Sequence, residues 1–180
     1  MKVRVMIALF SVALAPLAAA HESATGVVKQ RMEQMERFEE LIERVFAMMH
    51  GELSYDARSV QSAAQEIRAG AGRHMTDLFP RGSDGPPSEA KAGIWQDFET
   101  FEHYAWMLER WSGELAVQAG RSSQGRLPKD WEQAEMGPGM MREGGLMGRG
   151  GMMNQSGAVF AAWHVAATCN ACHADFREEE

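Results

Sequence analysis

The chain has 180 residues, of which 45% are hydrophobic and 24% charged, an ordinary balance for one soluble globular domain. Its formal net charge of −7 excludes the strongly basic surface by which proteins hold nucleic acids, so no nucleic-acid partner is expected. With only two cysteines the chain is not a disulfide-rich scaffold, whose stability would depend on several cross-links.

The first twenty residues have the composition of an export signal. Lys2 and Arg4 precede an apolar run over residues 5–17, and three alanines at 18–20 resemble a cleavage site. The apolar run is too short to cross a bilayer. We therefore expect residues 1–20 to be a signal peptide and residues 21–180 to form one periplasmic domain with no membrane span after cleavage.

Apolar side chains at intervals of three and four predict a first helix over residues 25–50, which Gly51 is placed to end. The stripe on this helix comprises Val28, Met32, Met35, Phe38, Ile42, Val45 and Met49. A weaker stripe predicts a second helix over about residues 54–78. Residues 81–87 contain two glycines and two prolines, which favours a loop.

A third helix is expected over residues 88–120, with Trp106 among the bulky residues on its buried side. Glycine and methionine dominate residues 136–153, which cannot offset their ordering entropy by burial, so a flexible insertion is expected there. A last helix is expected over residues 156–178, with His164 as a partly exposed polar residue. Because no segment has the period of a strand, the pattern predicts an all-α, antiparallel up-down-up-down four-helix bundle.

The last predicted helix contains Cys-Asn-Ala-Cys-His at residues 169–173, which is the C-x-x-C-H signature of haem c attachment. Two thiols three positions apart on a helical turn can each add to one vinyl group of a single porphyrin, and the next residue then places an imidazole at the iron. A structural zinc site normally needs four protein ligands. A thioredoxin-like pair would sit among strands, and a simple disulfide leaves His173 unexplained. The motif predicts one covalently attached haem.

Beyond this motif, the chain resembles the cytochrome c′ family and its low-spin, methionine-ligated relatives. Residues 169–177 are similar to the family ending C-x-x-C-H-x-x-aromatic-Arg. Val-Lys-Gln-Arg at 28–31 and Gly-Glu at 51–52 fall at the family's spacing, and Leu-Phe-Pro at 78–80 resembles its loop before the third helix. The resemblance implies a four-helix bundle with one haem c that transfers electrons or binds gases, and no enzyme activity.

The resemblance also implies roles for single residues. It makes Cys169 and Cys172 the thioether positions and His173 the proximal ligand. It places Arg31 at a haem propionate, Arg177 beside the proximal face, and Met35 opposite the iron on the distal side. A methionine there is the sixth ligand in the low-spin relatives, although methionine is also a common core filler on an apolar stripe.

We expect Met35 to coordinate the iron, giving a one-electron carrier that meets redox partner proteins. The alternative is a five-coordinate haem that binds nitric oxide or carbon monoxide. A third hypothesis is copper binding by the methionine-rich insertion, since soft thioethers favour Cu(I). A homodimer formed through the first two helices is a further partner that the resemblance implies.

Overall fold

The computed structural model describes residues 24–120 and 157–178, and this part of the chain is helical, with no strand. The helices are α1 (Gly26–His50), α2 (Ala57–Gly70), α3 (Gly72–Thr76), a 3-10 helix (Ala92–Trp95), α4 (Phe98–Gln118) and α5 (Gly157–Phe176). The all-α prediction is confirmed. The signal peptide predicted at 1–20 and the insertion predicted at 136–153 lie outside the described residues. None of the helices described is long and apolar enough to cross a membrane.

The first helix matches its predicted bounds to within one residue, whereas the second is shorter than predicted. Gly51 ends α1 in the left-handed conformation, with φ 80°, which glycine adopts without steric cost. The second predicted helix, by contrast, stops at Gly70, and α3 begins only after Ala71 turns extended. Gly72 has φ 57°, so the continuous helix expected to residue 78 is interrupted where two glycines lower helix propensity.

The third long helix begins ten residues later than expected. Residues 88–91 do not start a helix, because their backbone pairs with the end of α5 through a bridge between Ala90 and Arg177. After the short 3-10 helix, Asp97 caps α4 by accepting a hydrogen bond from the backbone N–H of Thr100 at 3.3 Å. A tertiary contact therefore keeps this segment out of the helix that its composition favours.

Helices α1 and α2 run antiparallel at close range. The Gln34 amide donates to the carbonyl of Gly70 at 3.1 Å, and Arg37 forms an ion pair with Glu66 at 2.7 Å. A side chain at Gly70 would overlap Gln34 and the ring of Phe38, so the small residue is what lets the two backbones approach. The second half of α2 thus lies beside the first half of α1.

The remaining neighbours also run antiparallel. Gln61, near the start of α2, donates to the carbonyl of Ala116, near the end of α4, at 3.4 Å. Tyr104, near the start of α4, donates to the carboxylate of Asp175, near the end of α5, at 2.8 Å. The four long helices therefore alternate in direction, which confirms the up-down-up-down bundle.

Two side chains occupy places that differ from the prediction. His164 is only 8% exposed and stacks on Trp111 with ring centroids 4.0 Å apart, because α5 is buried on nearly all sides in its first half. This burial lowers the pKa of the imidazole. Trp106 is 51% exposed, since the buried stripe of α4 runs through Phe101, Ala105 and Leu108 on the opposite side.

The cap of α2 makes stability depend on pH. Hydrogen bonds from the Ser59 side chain and the Arg58 backbone lower the pKa of the Asp56 carboxyl. A carboxyl with a depressed folded-state pKa stabilises the fold above its unfolded pKa, and this contribution is lost as pH falls through the folded value. We expect the urea midpoint of the protein to exceed that of Asp56→Ala at neutral pH, and this difference to shrink in acid.

The asparagine variant provides the control for this prediction. Asp56→Asn keeps a capping oxygen that does not titrate, so its advantage over Asp56→Ala should be independent of pH. A difference between the protein and Asp56→Ala that stayed constant through the acid range would contradict the assigned role of the carboxylate.

Candidate cofactor site at one end of the bundle

The alternating helix directions bring the predicted site residues to one end of the bundle. Arg31 and Met35 lie in the first half of α1, and residues 169–173 lie in the last turns of α5. A row of aromatic rings lies at this end of the bundle. Phe79, in the loop after α3, contacts Phe101 of α4 with ring centroids 4.7 Å apart, and Phe101 contacts Phe176 at the end of α5 with centroids 5.9 Å apart. Residues separated by more than 130 positions in the sequence are thus assembled at one place.

The two cysteines are three positions apart on α5 and are free thiols. Both are partly buried and pack against the hydrophobic core. Burial raises the pKa of the Cys169 thiol and of the Cys172 thiol to about 12, so both are protonated at neutral pH. They form no disulfide, which leaves both sulfur atoms available for thioether bonds.

The imidazole of His173 follows directly on the same helical turn. The residue is exposed overall, yet burial of part of its ring lowers its pKa, as does the nearby positive charge of Arg177, while Glu89 opposes the shift. A lowered pKa keeps the ring neutral at physiological pH, and a neutral imidazole carries the lone pair that binds a metal. The predicted ligand is therefore in the right protonation state.

Tertiary contacts anchor the turn that carries His173. The backbone N–H of Lys91 donates to the carbonyl of Phe176 at 2.9 Å, and that of Glu178 donates to the carbonyl of Glu89 at 2.8 Å. The Arg177 guanidinium also forms an ion pair with Glu89 at 2.8 Å. Arg177 thus lies beside His173 and is itself fixed to the loop before α4.

A second anchor comes from α4. The hydroxyl of Tyr104 donates to Asp175, and burial together with this carboxylate raises the pKa of the phenol to about 12. The Tyr104 ring also meets Phe176 edge-on, with centroids 6.2 Å apart. The end of α5 is held by a phenol on one helix and by backbone pairing with a loop, so the imidazole-bearing turn has little freedom.

Arg31 is almost completely buried, with 3% exposure. Its guanidinium donates to the Ser83 hydroxyl at 2.9 Å, and also to the Ser83 carbonyl and the Ser88 hydroxyl. It lies over the ring of Phe79, 4.8 Å from the centroid. Burial lowers the pKa of the guanidinium, and the carboxylate of Asp84 opposes this. Arg31, which the family resemblance places at a haem propionate, thus donates here to serine oxygens of the loop after α3.

Met35 lies one turn beyond Arg31 on α1, where it is partly buried and packs against the core. The backbone of α1 comes close to that of α5 over a much shorter stretch than the backbone of α4 does. The thioether of Met35 is therefore carried by the neighbour whose backbone approaches α5 less extensively.

The residues at this end of the bundle fit a covalently attached haem. Two unpaired thiols stand at the required spacing, a neutral imidazole follows them, and both thiols pack against apolar side chains of the core. Among the described residues no group of three or more His, Cys, Asp or Glu side chains could hold a metal ion, so a metal site built only from the protein is not indicated there.

The family model described as Cytochrome C′ matches residues 26–136, well over half of the chain. The chain belongs to the cytochrome c′ family. Proteins of this family carry covalently attached haem c, bind gases or transfer electrons, and are periplasmic, so the predicted cofactor is confirmed. The C-x-x-C-H motif itself lies beyond the matched residues, after the methionine-rich segment. No curated protein sequence matches the chain significantly.

Solved cytochromes c′ share the fold over almost their whole length. The protein from Rhodobacter Spheriodes is 22% identical and aligns over 86% of this chain and 96% of its own, with a TM-score of 0.63. That from Shewanella frigidimarina is 19% identical over 85% and 94%, with a TM-score of 0.62. A variant from Alcaligenes xylosoxidans with bound carbon monoxide is 17% identical over 85% and 94%, with a TM-score of 0.60.

Sequence reasoning missed the residues that hold the site together. Tyr104 and the loop residues Ser83, Ser88 and Glu89 had no assigned role. Tyr104 lies between the buried positions Phe101 and Ala105, and its polar end was the only available signal that it needs a partner. The loop serines carry no signal in the sequence, because their partner lies more than 50 positions away.

Proposed function

We propose that this cytochrome c′ family protein is a periplasmic one-electron carrier whose haem is attached at Cys169 and Cys172, with His173 and Met35 as axial ligands. The observation that carries the proposal is the placement of the α5 thiol–imidazole turn and the Met35 segment of α1 at the same end of an antiparallel bundle. Both axial positions would then be filled by side chains of this chain. The haem would supply reversible one-electron chemistry at its iron.

The surrounding residues have defined tasks under this proposal. The anchors on Asp175, Phe176 and Arg177 keep the His173 turn in one orientation, so the imidazole keeps its position when the charge at the site changes. Aromatic side chains on α4 and the α3–α4 loop exclude water from this end of the core. Low polarity around a redox centre, together with a His/Met donor pair, favours a high reduction potential.

Gas binding is the second candidate function, and the relatives favour it. One similar fold was solved with carbon monoxide and another with nitric oxide, both as variants of the Alcaligenes xylosoxidans protein. The partly buried Met35 side chain lies on α1, whose backbone approaches α5 less extensively than that of α4 does. If its sulfur stays away from the iron, the side of the iron opposite His173 would admit a diatomic ligand.

The Met35→Ala variant separates the two functions. If the sulfur is a ligand, the ferrous protein should show a sharp low-spin spectrum that does not change under carbon monoxide, and the variant should become high-spin and bind the gas. Met48→Ala is the matched control, because Met48 is a partly buried core methionine near the far end of α1 and should leave the spectrum unchanged. A wild-type protein that is high-spin and takes up carbon monoxide would establish gas binding instead.

Export and self-association complete the proposal. Cleavage after residue 20 would deliver the chain to the periplasm, where the family resides, and sequencing the amino terminus of the exported protein tests this.

One solved relative is described as having a ligand-controlled dimer dissociation. We propose a homodimer through α1 and α2 for this chain as well, which sedimentation velocity of the haem protein over a range of protein concentrations would test.

A further inference from the structure

The loop after α3 is fastened to α1 by one buried charge. Arginine is almost never fully buried unless its guanidinium is paired. Here three oxygens, two from Ser83 and one from Ser88, accept from Arg31, and the ring of Phe79 lies beneath the guanidinium. The buried donors are satisfied by the loop, so the loop and this turn of α1 move together.

The same loop is also fastened to the end of α5. The Ser88 hydroxyl that accepts from Arg31 also accepts from the backbone N–H of Ala90 at 3.1 Å. Ala90 pairs with Arg177, and its neighbours Glu89 and Lys91 bond to the backbone of residues 176–178. We call residues 83–91 the strap, because this segment joins α1 at one end and the last turn of α5 at the other.

A row of aromatic contacts also connects α1 with the end of α5, in addition to the strap. Phe79, which Arg31 covers, meets Phe101 edge-on, and Phe101 in turn meets Phe176, the last residue of α5. By contrast, the backbones of α1 and α5 approach each other closely over only a short stretch. The strap and the row of rings are therefore two sets of contacts that connect the Arg31 turn of α1 with the end of α5.

We propose that Arg31 is a positioning residue that, through the strap, sets the distance between the Met35 turn of α1 and the His173 turn of α5. Met35 lies four residues after Arg31, on the same face of the helix, so the hold on Arg31 also fixes Met35. The inference rests on the proposed function, because Met35 and His173 are there the axial ligands. In this role the Arg31 guanidinium donates to the oxygens of Ser83 and Ser88 in the strap.

The test compares Arg31→Met, the double variant Ser83→Ala/Ser88→Ala and their triple combination in the full-length haem protein. All are made in the Met35→Ala parent, because this parent binds carbon monoxide whether or not the Met35 sulfur is an iron ligand. Loss of these charge-assisted hydrogen bonds should raise by about tenfold the fraction of molecules in which α1 has moved away from α5. We expect the rate of carbon monoxide binding to the ferrous Met35→Ala parent to rise about tenfold when Arg31→Met or the double serine substitution is added. The triple variant should bind no faster than Arg31→Met, since the groups act as one unit.

Two further readouts separate positioning from a general loss of stability. The backbone amides of Lys91 and Glu178 should exchange hydrogen about tenfold faster in Arg31→Met, while amides in the middle of α4 should not change. Arg31→Lys should restore much of the slow gas binding, because an ammonium can still donate to the serine oxygens. Arg44→Met, at an exposed arginine of the same helix, is the matched control and should change neither readout.

The serine variants decide between this role and a direct bond to a haem propionate. If Arg31→Met speeds gas binding while the double serine variant leaves both gas binding and amide exchange unchanged, the proposal is overturned. Effects of the serine and arginine variants that simply add would overturn it as well. A wild-type protein without a haem absorption band would instead refute the proposed function, and amide exchange of the polypeptide would still test the strap.

Discussion

Replacing Cys169 and Cys172 together with alanine should yield an exported polypeptide that carries no covalently attached haem. Both thiols are unpaired, three positions apart and packed against the core on the same stretch of α5. No other cysteine exists in the chain, so no second pair could replace them. The expected effect is a complete loss of covalent haem, measured by intact mass and by haem staining after denaturing electrophoresis.

Single variants and a neighbouring residue provide the controls. Cys169→Ala and Cys172→Ala each leave one thiol, so each should retain at most one thioether bond and release more haem under denaturing conditions. Asn170→Ala changes an exposed residue inside the motif and should retain full attachment. Covalent haem in the double variant, made by cells with a working maturation system, would show that the motif is not the attachment site.

Phe101→Ala should cause the largest loss of stability of any single aromatic truncation at this end of the bundle. Phe101 is 2% exposed and contacts Phe79, Phe98 and Phe176 edge-on or tilted, with centroids between 4.7 and 5.9 Å. Removing a fully buried phenylalanine ring costs about 3–5 kcal/mol, since the cavity collapses only in part. We expect the free energy of unfolding, measured in urea, to fall by about this amount.

The neighbouring Phe98 serves as the comparison for this prediction. It is only partly buried, so Phe98→Ala should reduce the free energy of unfolding by roughly 1–2 kcal/mol. Because Phe101 also links Phe79 to Phe176, its loss should loosen the end of α5 more than the loss of Phe98 does. Equal losses for the two variants would show that burial and ring contacts do not determine stability at this end.

The helices were predictable where apolar spacing is regular and were misplaced where tertiary contacts compete with it. The stripe of α1 and the glycine at 51 predict that helix correctly, because both signals are local. Residues 88–91, in contrast, pair with the end of α5, which no local pattern reveals. His164 was expected to be partly exposed from its polarity, but its ring fills a space against Trp111 that exists only after α4 and α5 pack.

The candidate site likewise combines residues that the sequence predicts with partners that only the tertiary structure reveals. Residues 169–173 predict the cofactor because spacing and donor chemistry are complete within five positions. The roles of Met35 and Arg31 were implied only by resemblance to the cytochrome c′ family. The oxygens that accept from Arg31 belong to serines 52 and 57 positions away, and such partners cannot be inferred from one sequence.

The sequence by itself determined that this protein is helical and carries a thiol–imidazole motif for haem, because helix periodicity and attachment chemistry both act over a few neighbouring residues. Tertiary structure alone decided that the Arg31 turn, the strap and the His173 turn form one connected unit. That connection depends on antiparallel packing, which brings buried charges and backbone groups from distant segments within hydrogen-bond distance. Once such groups leave water they must find partners inside the fold, and only the assembled fold determines which partners they find.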